Sequence, residues 1–85
     1  MNYSNVKVYS TTTCPYCKME TAWLKSKQIR FEEVKVDQNQ DEANTMIQKT
    51  GQMGVPVTEI QYPDRKSEFV IGFNEPQLKY MLGVK

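Results

Sequence analysis

The sequence predicts an α/β fold in the order β-α-β-α-β-β-α, with four short strands in one mixed sheet and three helices flanking it. A chain of 85 residues has room for one domain, spanning 1–85. Two short segments alternate apolar and polar side chains, as strands do, two more short apolar segments lie beside turn-forming residues, and three others carry apolar side chains at helical spacing. A helix connects the first two strands, which makes them parallel, whereas a short turn joins the last two strands into a hairpin.

The first half of the chain predicts a strand, a helix and a second strand. Residues 6–9 alternate apolar and polar side chains and form the first strand. The hydroxyl side chains of residues 10–13 can cap a helix, and Pro15 suits its first turn. Helical spacing then continues to residue 26, through Met19, Ala22, Trp23 and Ser26. Residues 31–36 alternate again and predict the second strand.

A second helix follows the polar turn at 37–40 and ends near Gly51, because glycine favours helix ends. Its apolar face carries Ala43, Met46 and Ile47.

The last part of the chain predicts a hairpin and a helix. The third strand covers 54–60 and the fourth 68–71, with turn-forming residues between them at 62–66. Asn74 can cap the final helix, and Pro76 suits its first turn. The buried face of this helix is predicted to carry Leu78, Met81 and Leu82.

Composition and charge exclude several function classes. The net charge is +1, which gives no general attraction to nucleic acid. No apolar run approaches the roughly 20 residues of a membrane span, and the first residues do not resemble a signal peptide. We expect a cytoplasmic monomer that binds neither nucleic acid nor membrane. The chain has no His, which excludes Cys–His nucleophiles and imidazole metal ligands.

The two cysteines of the chain, Cys14 and Cys17, lie three positions apart. Cys14 follows the first predicted strand and precedes a helix, whose free N–H groups and dipole favour an ionised thiol. Cys17 lies in the first turn on the same side, so the two sulfurs can close a small ring. A CxxC pair between a strand and a helix is typical of a thioredoxin-like redox site.

The predicted chemistry is thiol–disulfide exchange. Cys14 attacks a substrate disulfide, and Cys17 then attacks Cys14 and releases the reduced substrate. Between them, Pro15 stiffens the turn and Tyr16 offers a flat surface beside the sulfur. A structural disulfide is disfavoured, because so small a loop removes little entropy from the unfolded chain and the cytoplasm is reducing. A zinc site is disfavoured because one chain supplies two thiolates and no His, so no metal ligands are predicted.

A second motif is the segment Met53-Gly54-Val55-Pro56. It can be the start of an edge strand or a tight turn that presents backbone groups to an extended peptide. Only about 5–6% of X–Pro bonds in folded proteins are cis, so the residues alone favour a trans Val55–Pro56 bond.

The segments Thr13-Cys14-Pro15-Tyr16-Cys17, Gly54-Val55-Pro56-Val57 and Ile71-Gly72-Phe73 together resemble a glutaredoxin. The resemblance implies a thioredoxin-like fold, a nucleophilic Cys14, a resolving Cys17, a cis Val55–Pro56 bond, and glutathione as co-substrate with no tightly bound cofactor. It implies a substrate- and glutathione-binding surface formed by Thr13, Pro15, Tyr16, Val55, Pro56, Gly72, Phe73 and Asn74.

The chain departs from many glutaredoxins at both positions that meet the glutathione carboxylates. Thr11 stands where many members have Lys, and Gly72-Phe73-Asn74-Glu75 replaces a Gly-Gly pair followed by Asp. This tail resembles the glutaredoxin-like redoxins of NrdH type, which take electrons from thioredoxin reductase and supply ribonucleotide reductase.

The predicted function is a dithiol oxidoreductase of cell redox homeostasis and electron transport, linked to glutathione or to thioredoxin reductase. It would reduce disulfides in proteins or mixed disulfides with glutathione. The alternatives are a dedicated electron donor to ribonucleotide reductase, or a dimer that carries an iron–sulfur cluster through Cys14.

Overall fold

The computed structural model describes residues 3–64 and 66–84, and its elements follow the predicted order. They are β1 Asn5–Ser10, α1 Pro15–Ser26, β2 Glu32–Lys35, α2 Gln40–Thr50, β3 Val57–Gln61, β4 Glu68–Ile71 and α3 Glu75–Leu82. The predicted turn at 62–66 includes Arg65, which lies outside the described residues. None of the helices in the described ranges has the length and apolar character needed to cross a membrane.

Four strands form one mixed sheet in the order β2-β1-β3-β4. As predicted, β1 and β2 run parallel and β3 and β4 form an antiparallel hairpin. The central strands β1 and β3 run antiparallel, with Tyr9 opposite Val57, and Val57 in turn lies opposite Ile71. The end of β1, the start of β3 and the end of β4 therefore meet at one edge of the sheet.

The sheet carries a buried cluster on each face. One cluster includes α1 and α3 side chains, and consists of Val6, Val8, Leu24, Ile29, Ile60, Val70, Leu78 and Leu82. The second includes α2 and is smaller, consisting of Tyr9, Met46 and Val57. Removing each of these side chains from water stabilises the fold, by about 1.5–3 kcal/mol for a fully buried Leu, Ile or Val.

The buried stripe of α1 differs from the spacing noted in the sequence. Its buried residues are Cys17, Glu20 and Leu24, whereas Met19 is 52% exposed. Among the other spaced residues, Trp23 is half-buried, and Ala22 and Ser26 are exposed. The helix begins directly after Cys14, and its first turn directs Cys17 toward the sheet. This orientation determines which of the later α1 residues are buried.

The N-cap of α1 is also different from the prediction. The hydroxyl residues 10–13 do not cap the helix; Cys14 is the N-cap, and its sulfur accepts the N–H of Cys17. For the other two helices the predicted signals are confirmed. Asn74 caps α3, and Gly51 ends α2 in the left-handed conformation, with φ of 75°.

Two strands are shorter than predicted. The second strand covers Glu32–Lys35 rather than 31–36, and β3 begins at Val57 rather than at residue 54. Pro56 has no N–H to contribute to a sheet ladder, so residues 54–56 form a loop that leads into β3.

Candidate active site

Cys14 and Cys17 form a disulfide at the start of α1. Their Cα atoms are 5.2 Å apart, which is an ordinary spacing for bridged cysteines. The two sulfur-bearing residues differ in exposure: Cys14 is half-buried, and Cys17 is 1% exposed. A large partner can therefore approach Cys14 and not Cys17.

Backbone groups at the helix start surround the sulfur of Cys14. The N–H of Cys17 donates to Cys14 Sγ over 3.1 Å, and the Lys18 N–H donates to the Cys14 carbonyl over 3.2 Å. When the disulfide opens, the same Cys17 N–H and the positive end of the helix dipole stabilise a thiolate at Cys14. The site thus suits a sulfur that reacts as an anion.

The segment before Cys14 is held by the loop that follows β2. The Thr12 N–H donates to Asp37 Oδ2 over 3.1 Å, and Gln38 Nε2 donates to Thr12 Oγ1 over 3.1 Å. Hydrogen bonds from Thr12 lower the pKa of the Asp37 carboxyl, which keeps it ionised and able to accept them. Sequence reasoning missed this contact, because the two loops are distant along the chain.

The loop before β3 lies against the reactive pair. The Val55 carbonyl oxygen is 4.0 Å from Cys14 Sγ. The Val55–Pro56 bond is cis, which confirms the isomer implied by the resemblance and not the one favoured by the residues alone. Val55 is half-buried and Pro56 is buried. An extended peptide bonded to Cys14 would therefore pass beside the Val55 backbone.

The loop between β4 and α3 completes the site. The Gly72 N–H donates to the Pro56 carbonyl over 2.8 Å, and the Gly72 φ of 77° is in the left-handed region that glycine adopts readily. Phe73 packs edge-on against Trp23 of α1, with ring centres 6.2 Å apart. Asn74 Oδ1 accepts the N–H of Gln77 over 3.3 Å and so caps α3. The three predicted site segments are therefore brought together at one edge of the sheet.

Exposed apolar side chains adjoin these segments along the chain. Tyr16, between the two cysteines, is 63% exposed, and Met53, two residues before Val55, is 76% exposed. Ile71, next to Gly72, is 48% exposed. The other predicted surface residues Thr13 and Pro15 are exposed as well. Met53 and Ile71 belong to the motifs noted in the sequence but were not predicted as part of the binding surface, although their position next to the predicted loops was the available signal.

Glu20 was also missed, and it is fully buried one turn beyond Cys17. Thr58 Oγ1 donates to its Oε2. Burial raises the pKa of the Glu20 carboxyl to about 7, although the Thr58 hydrogen bond favours the ionised form. Placing Cys17 and Leu24 on one helix face would have put Glu20 between them.

The N–H donor of Cys17 and the two adjacent sulfurs favour thiol–disulfide chemistry at this site. Within residues 3–64 and 66–84, no group of three or more His, Cys, Asp or Glu side chains is placed to hold a metal ion. A dithiol that closes reversibly into a disulfide carries two electrons, and it can exchange them with another disulfide.

Comparison with known proteins agrees with this chemistry. The glutaredoxin family model matches residues 6–61. A glutaredoxin-like 8.6 kDa protein of Clostridium pasteurianum, from the rubredoxin operon, is 36% identical over 77 residues, which cover 91% of this chain and 96% of that protein. Glutaredoxin 3 of Escherichia coli (strain K12) is 40% identical over 53 residues, which cover 62% of this chain and 64% of the relative.

Among solved structures, the glutaredoxin-like NrdH-redoxin from Escherichia coli matches 92% of this chain and 95% of its own with a TM-score of 0.74. At 18% identity, this match shows a shared fold. The predicted thioredoxin-like architecture, with four strands in a mixed sheet and three helices, is thus confirmed.

The family match spans β1 to β3 and includes both cysteines. The chain therefore belongs to the glutaredoxin family and is a thiol–disulfide oxidoreductase with a dithiol motif.

Proposed function

We propose that the protein reduces disulfides of other proteins through a cycle that uses both sulfurs. The observation that supports it is the disulfide between a half-buried Cys14 at the start of α1 and a buried Cys17. In the first step, the Cys14 thiolate attacks a substrate disulfide, forms a mixed disulfide and expels one substrate thiolate. In the second step, Cys17 attacks Cys14, expels the other substrate thiolate and leaves the oxidised pair.

Exposure and hydrogen bonding assign the two roles. The N–H of Cys17 points to Cys14 Sγ, so a negative charge is stabilised on the sulfur that a partner can reach. The burial of Cys17 keeps it from external disulfides and leaves Cys14 as its reaction partner. Exposed Tyr16 and Met53 offer apolar area to a protein substrate beside the reactive sulfur.

We further propose that a protein reductase of the thioredoxin reductase class, and not glutathione, returns the oxidised pair to the dithiol. The resemblance assigns the N-terminus of the last helix to a glutathione carboxylate. In this chain Asn74 already accepts the Gln77 N–H there, and Glu75 adds a carboxylate to the first turn. A second carboxylate at this end would meet an occupied donor and a like charge.

Two more positions favour a protein reductase over glutathione as the reductant. Phe73 packs against Trp23 and fills the loop where many members have glycine. Thr11 stands where many members have Lys, and its carbonyl accepts the N–H of Cys14 over 3.4 Å. Neither residue supplies the positive charge that would attract the tripeptide.

The test compares the two reductants on the same oxidised protein. One reaction contains NADPH and thioredoxin reductase, and the other contains NADPH, glutathione reductase and glutathione, each with insulin as the disulfide substrate. We expect NADPH consumption in the first reaction to be at least about tenfold faster, which corresponds to about 1.4 kcal/mol. Faster turnover with glutathione would overturn the choice of reductant.

Variants separate the two parts of the proposal. Cys14→Ser removes all turnover, and Cys17→Ser stops after the first step and accumulates a mixed disulfide that mass spectrometry detects. Glu75→Gln raises the glutathione-linked rate by about two- to fivefold, as expected for 0.3–1 kcal/mol at a helix terminus, and leaves the reductase-linked rate unchanged. Retained turnover in Cys14→Ser would contradict the two-sulfur cycle itself.

A second candidate keeps glutathione as the reductant. Its support is the Val55 carbonyl, which lies 4.0 Å from Cys14 Sγ and can pair with an extended tripeptide.

A separate experiment addresses the final electron acceptor. It replaces insulin by ribonucleotide reductase in either reaction and tests whether that enzyme is reduced.

A further inference from the structure

Glu20 interrupts the buried stripe of α1 with an ionisable group. The stripe consists of Cys17, Glu20 and Leu24, and all three face the sheet. Glu20 is 0% exposed, on the sheet face whose buried cluster is apolar. Burying a carboxyl costs free energy unless it is paired or hydrogen-bonded, and stability alone would favour an apolar side chain here.

The hydrogen bonding of Glu20 is incomplete. Thr58 of β3 donates to Oε2, while Oε1 is a buried atom with no hydrogen-bond partner among the described residues. The structure contains the oxidised pair, in which the sulfur of Cys17 carries no hydrogen. In the reduced or mixed-disulfide protein, Cys17 would have an S–H donor that it lacks in this oxidised state.

Helix geometry places Glu20 next to that sulfur. Residues three apart on a helix have Cβ atoms about 5–6 Å apart on the same face. Long helical side chains also lean toward the helix N-terminus, which directs the Glu20 carboxyl back over the turn that holds Cys17. Both side chains lie in the space between α1 and the sheet.

Other charged groups on the elements of this cluster face elsewhere. On α1, Lys18 and Lys25 are exposed, and on α3, Glu75 pairs with Lys79 over 3.4 Å. On the central strands, Lys7 bonds Glu42 of α2 and Glu59 bonds Lys49, both on the opposite face of the sheet, and on β4 Glu68 is exposed. Tyr3 and Tyr62 are partly buried against the same cluster, and Cys17 lies one turn from Glu20 in the buried stripe of α1.

We propose that Glu20 accepts the thiol proton of Cys17 when Cys17 attacks the mixed disulfide at Cys14. The proposal rests on the two-sulfur cycle described above. The Cys17 sulfur bonds to Cys14, the bond between Cys14 and the substrate sulfur breaks, and the substrate leaves as a thiolate with the electron pair of that bond. The proton moves to the Glu20 carboxylate, which later returns it to solvent.

The burial of Cys17 makes a nearby acceptor necessary. A thiol attacks as its thiolate, and apolar surroundings disfavour that charged form, so a buried thiol reacts poorly until its proton has somewhere to go. A carboxyl whose pKa is about 7 is available as a base near neutral pH and does not hold the proton too strongly.

The test measures the two steps separately with dithiobis(nitrobenzoate), a disulfide that releases a coloured thiolate at each step. Reduced protein is mixed with one equivalent of this reagent in a stopped-flow instrument, from about pH 5 to pH 9, a range that includes the raised pKa of Glu20 and the pKa of an ordinary thiol. The first phase reports attack by Cys14 and the second reports attack by Cys17. In the wild-type protein we expect the second-phase rate to rise with a midpoint near pH 7 and then to level off.

In Glu20→Gln, we expect the first phase to be unchanged and the second to slow at least about tenfold at neutral pH, with the inflection near pH 7 removed. Glu59→Gln is the matched control, because it removes a buried carboxyl from the opposite face of the same sheet and should leave both phases unchanged. An unchanged second phase in Glu20→Gln, or slowing by one factor at every pH, would overturn the proposal.

Thr58→Val supplies an independent test that keeps the carboxyl. Without the hydroxyl that favours its ionised form, Glu20 has a higher pKa, so the second-phase midpoint should move to higher pH and the plateau should remain. A midpoint that does not move would overturn the proposal even if Glu20→Gln failed to fold. Absence of a second phase in the wild-type protein would instead contradict the two-sulfur cycle.

Discussion

At the scale of single residues, Glu20 and Glu59 show how surroundings determine the ionisation of a buried carboxyl. Burial raises the pKa of Glu20 to about 7, since a single neutral hydroxyl donates to it. Burial acts on Glu59 in the same direction, but hydrogen bonds from Ser67, Lys49 and Tyr9 and the charge of Lys49 outweigh it and lower the pKa. Two carboxyls near the same strand therefore affect stability in opposite pH ranges.

Glu20→Gln should remove a pH dependence of stability. The folded pKa of about 7 lies above the usual 4.5, so the stability that the protonated carboxyl gives is complete below pH 4.5 and is lost as the pH rises through 7. A shift of this size corresponds to about 3 kcal/mol, at about 1.4 kcal/mol per pKa unit. Urea unfolding of the oxidised protein at several pH values should show this loss in the wild-type protein and not in the variant.

The oxidised form is needed for this measurement because its sulfurs do not titrate. Parallel curves for the two proteins across this range would show that Glu20 has an ordinary pKa.

Sequence reasoning could identify Cys14 and Cys17 but not Glu20. The chemistry of a thiol at a helix start is local, since it depends on the residue and on the next turn. The environment of Glu20 depends on which side of α1 faces β3, and its partner Thr58 is distant from it along the chain.

At the scale of elements, helix ends were the most predictable feature. Asn74 and Gly51 carry their signals in their own conformational preferences, and both act as predicted. The start of α1 was less predictable, because four hydroxyl residues compete for the cap and tertiary contacts hold Thr12 against Asp37 instead. Strand ends also depend on neighbours, which explains why β2 and β3 are shorter than their apolar patterns.

Gly51→Ala should destabilise the protein by about 1 kcal/mol, because Gly51 has φ of 75° and an L side chain is strained there. A Cβ atom at Gly51 would meet no atom within 4 Å, so the loss is one of backbone conformation. Gly51→Asn should lose less, since Asn tolerates this conformation. The measurement is the free energy of unfolding in urea.

Gly54→Ala is the matched control. Its φ is outside the left-handed range, and an added Cβ would be 3.9 Å from the side chain of Gln52, an ordinary contact. We expect a change within about 0.5 kcal/mol, as for other substitutions that introduce no strain. Equal losses at the two glycines would show that backbone conformation is not the cause.

At the scale of the whole molecule, the sheet order brings the site together. The order β2-β1-β3-β4 places the segment after β1, the loop before β3 and the loop after β4 at one edge. The sequence predicted the parallel pair and the hairpin, because the connecting segments determine them. It did not predict how the hairpin joins β1, since that depends on which apolar faces pack together.

The wild-type protein should be most stable near pH 4.5, where the contributions of both buried carboxyls are complete. Above this pH the stability that protonated Glu20 gives is lost as the pH rises through 7. Below it Glu59, whose folded pKa is lowered, gains a proton, so the stability that its ionised form gives is present above 4.5 and is lost as the pH falls through that lower pKa. Thermal unfolding of the oxidised protein on both sides of this pH should show the maximum there.

Two variants should separately change the acidic side and the alkaline side of the dependence of stability on pH. Glu59→Gln should cost about 2 kcal/mol at neutral pH, because Lys49 and Tyr9 lose a charged partner, and the cost should shrink in acid. Glu20→Gln should extend the maximum to higher pH. A single maximum above pH 8 in all three proteins would contradict this account.

The depth of Cys17 has a consequence for the opposite direction of electron flow. By microscopic reversibility, a reductant that opens the bridge must also strike Cys14, and Cys17 is then the leaving group. A leaving group out of contact with water departs readily only if an acid lies beside it, and Glu20 is the group placed to supply that proton. Resetting the protein should therefore be easier in mildly acidic solution, in contrast to ordinary thiol exchange, which slows as thiolates are protonated.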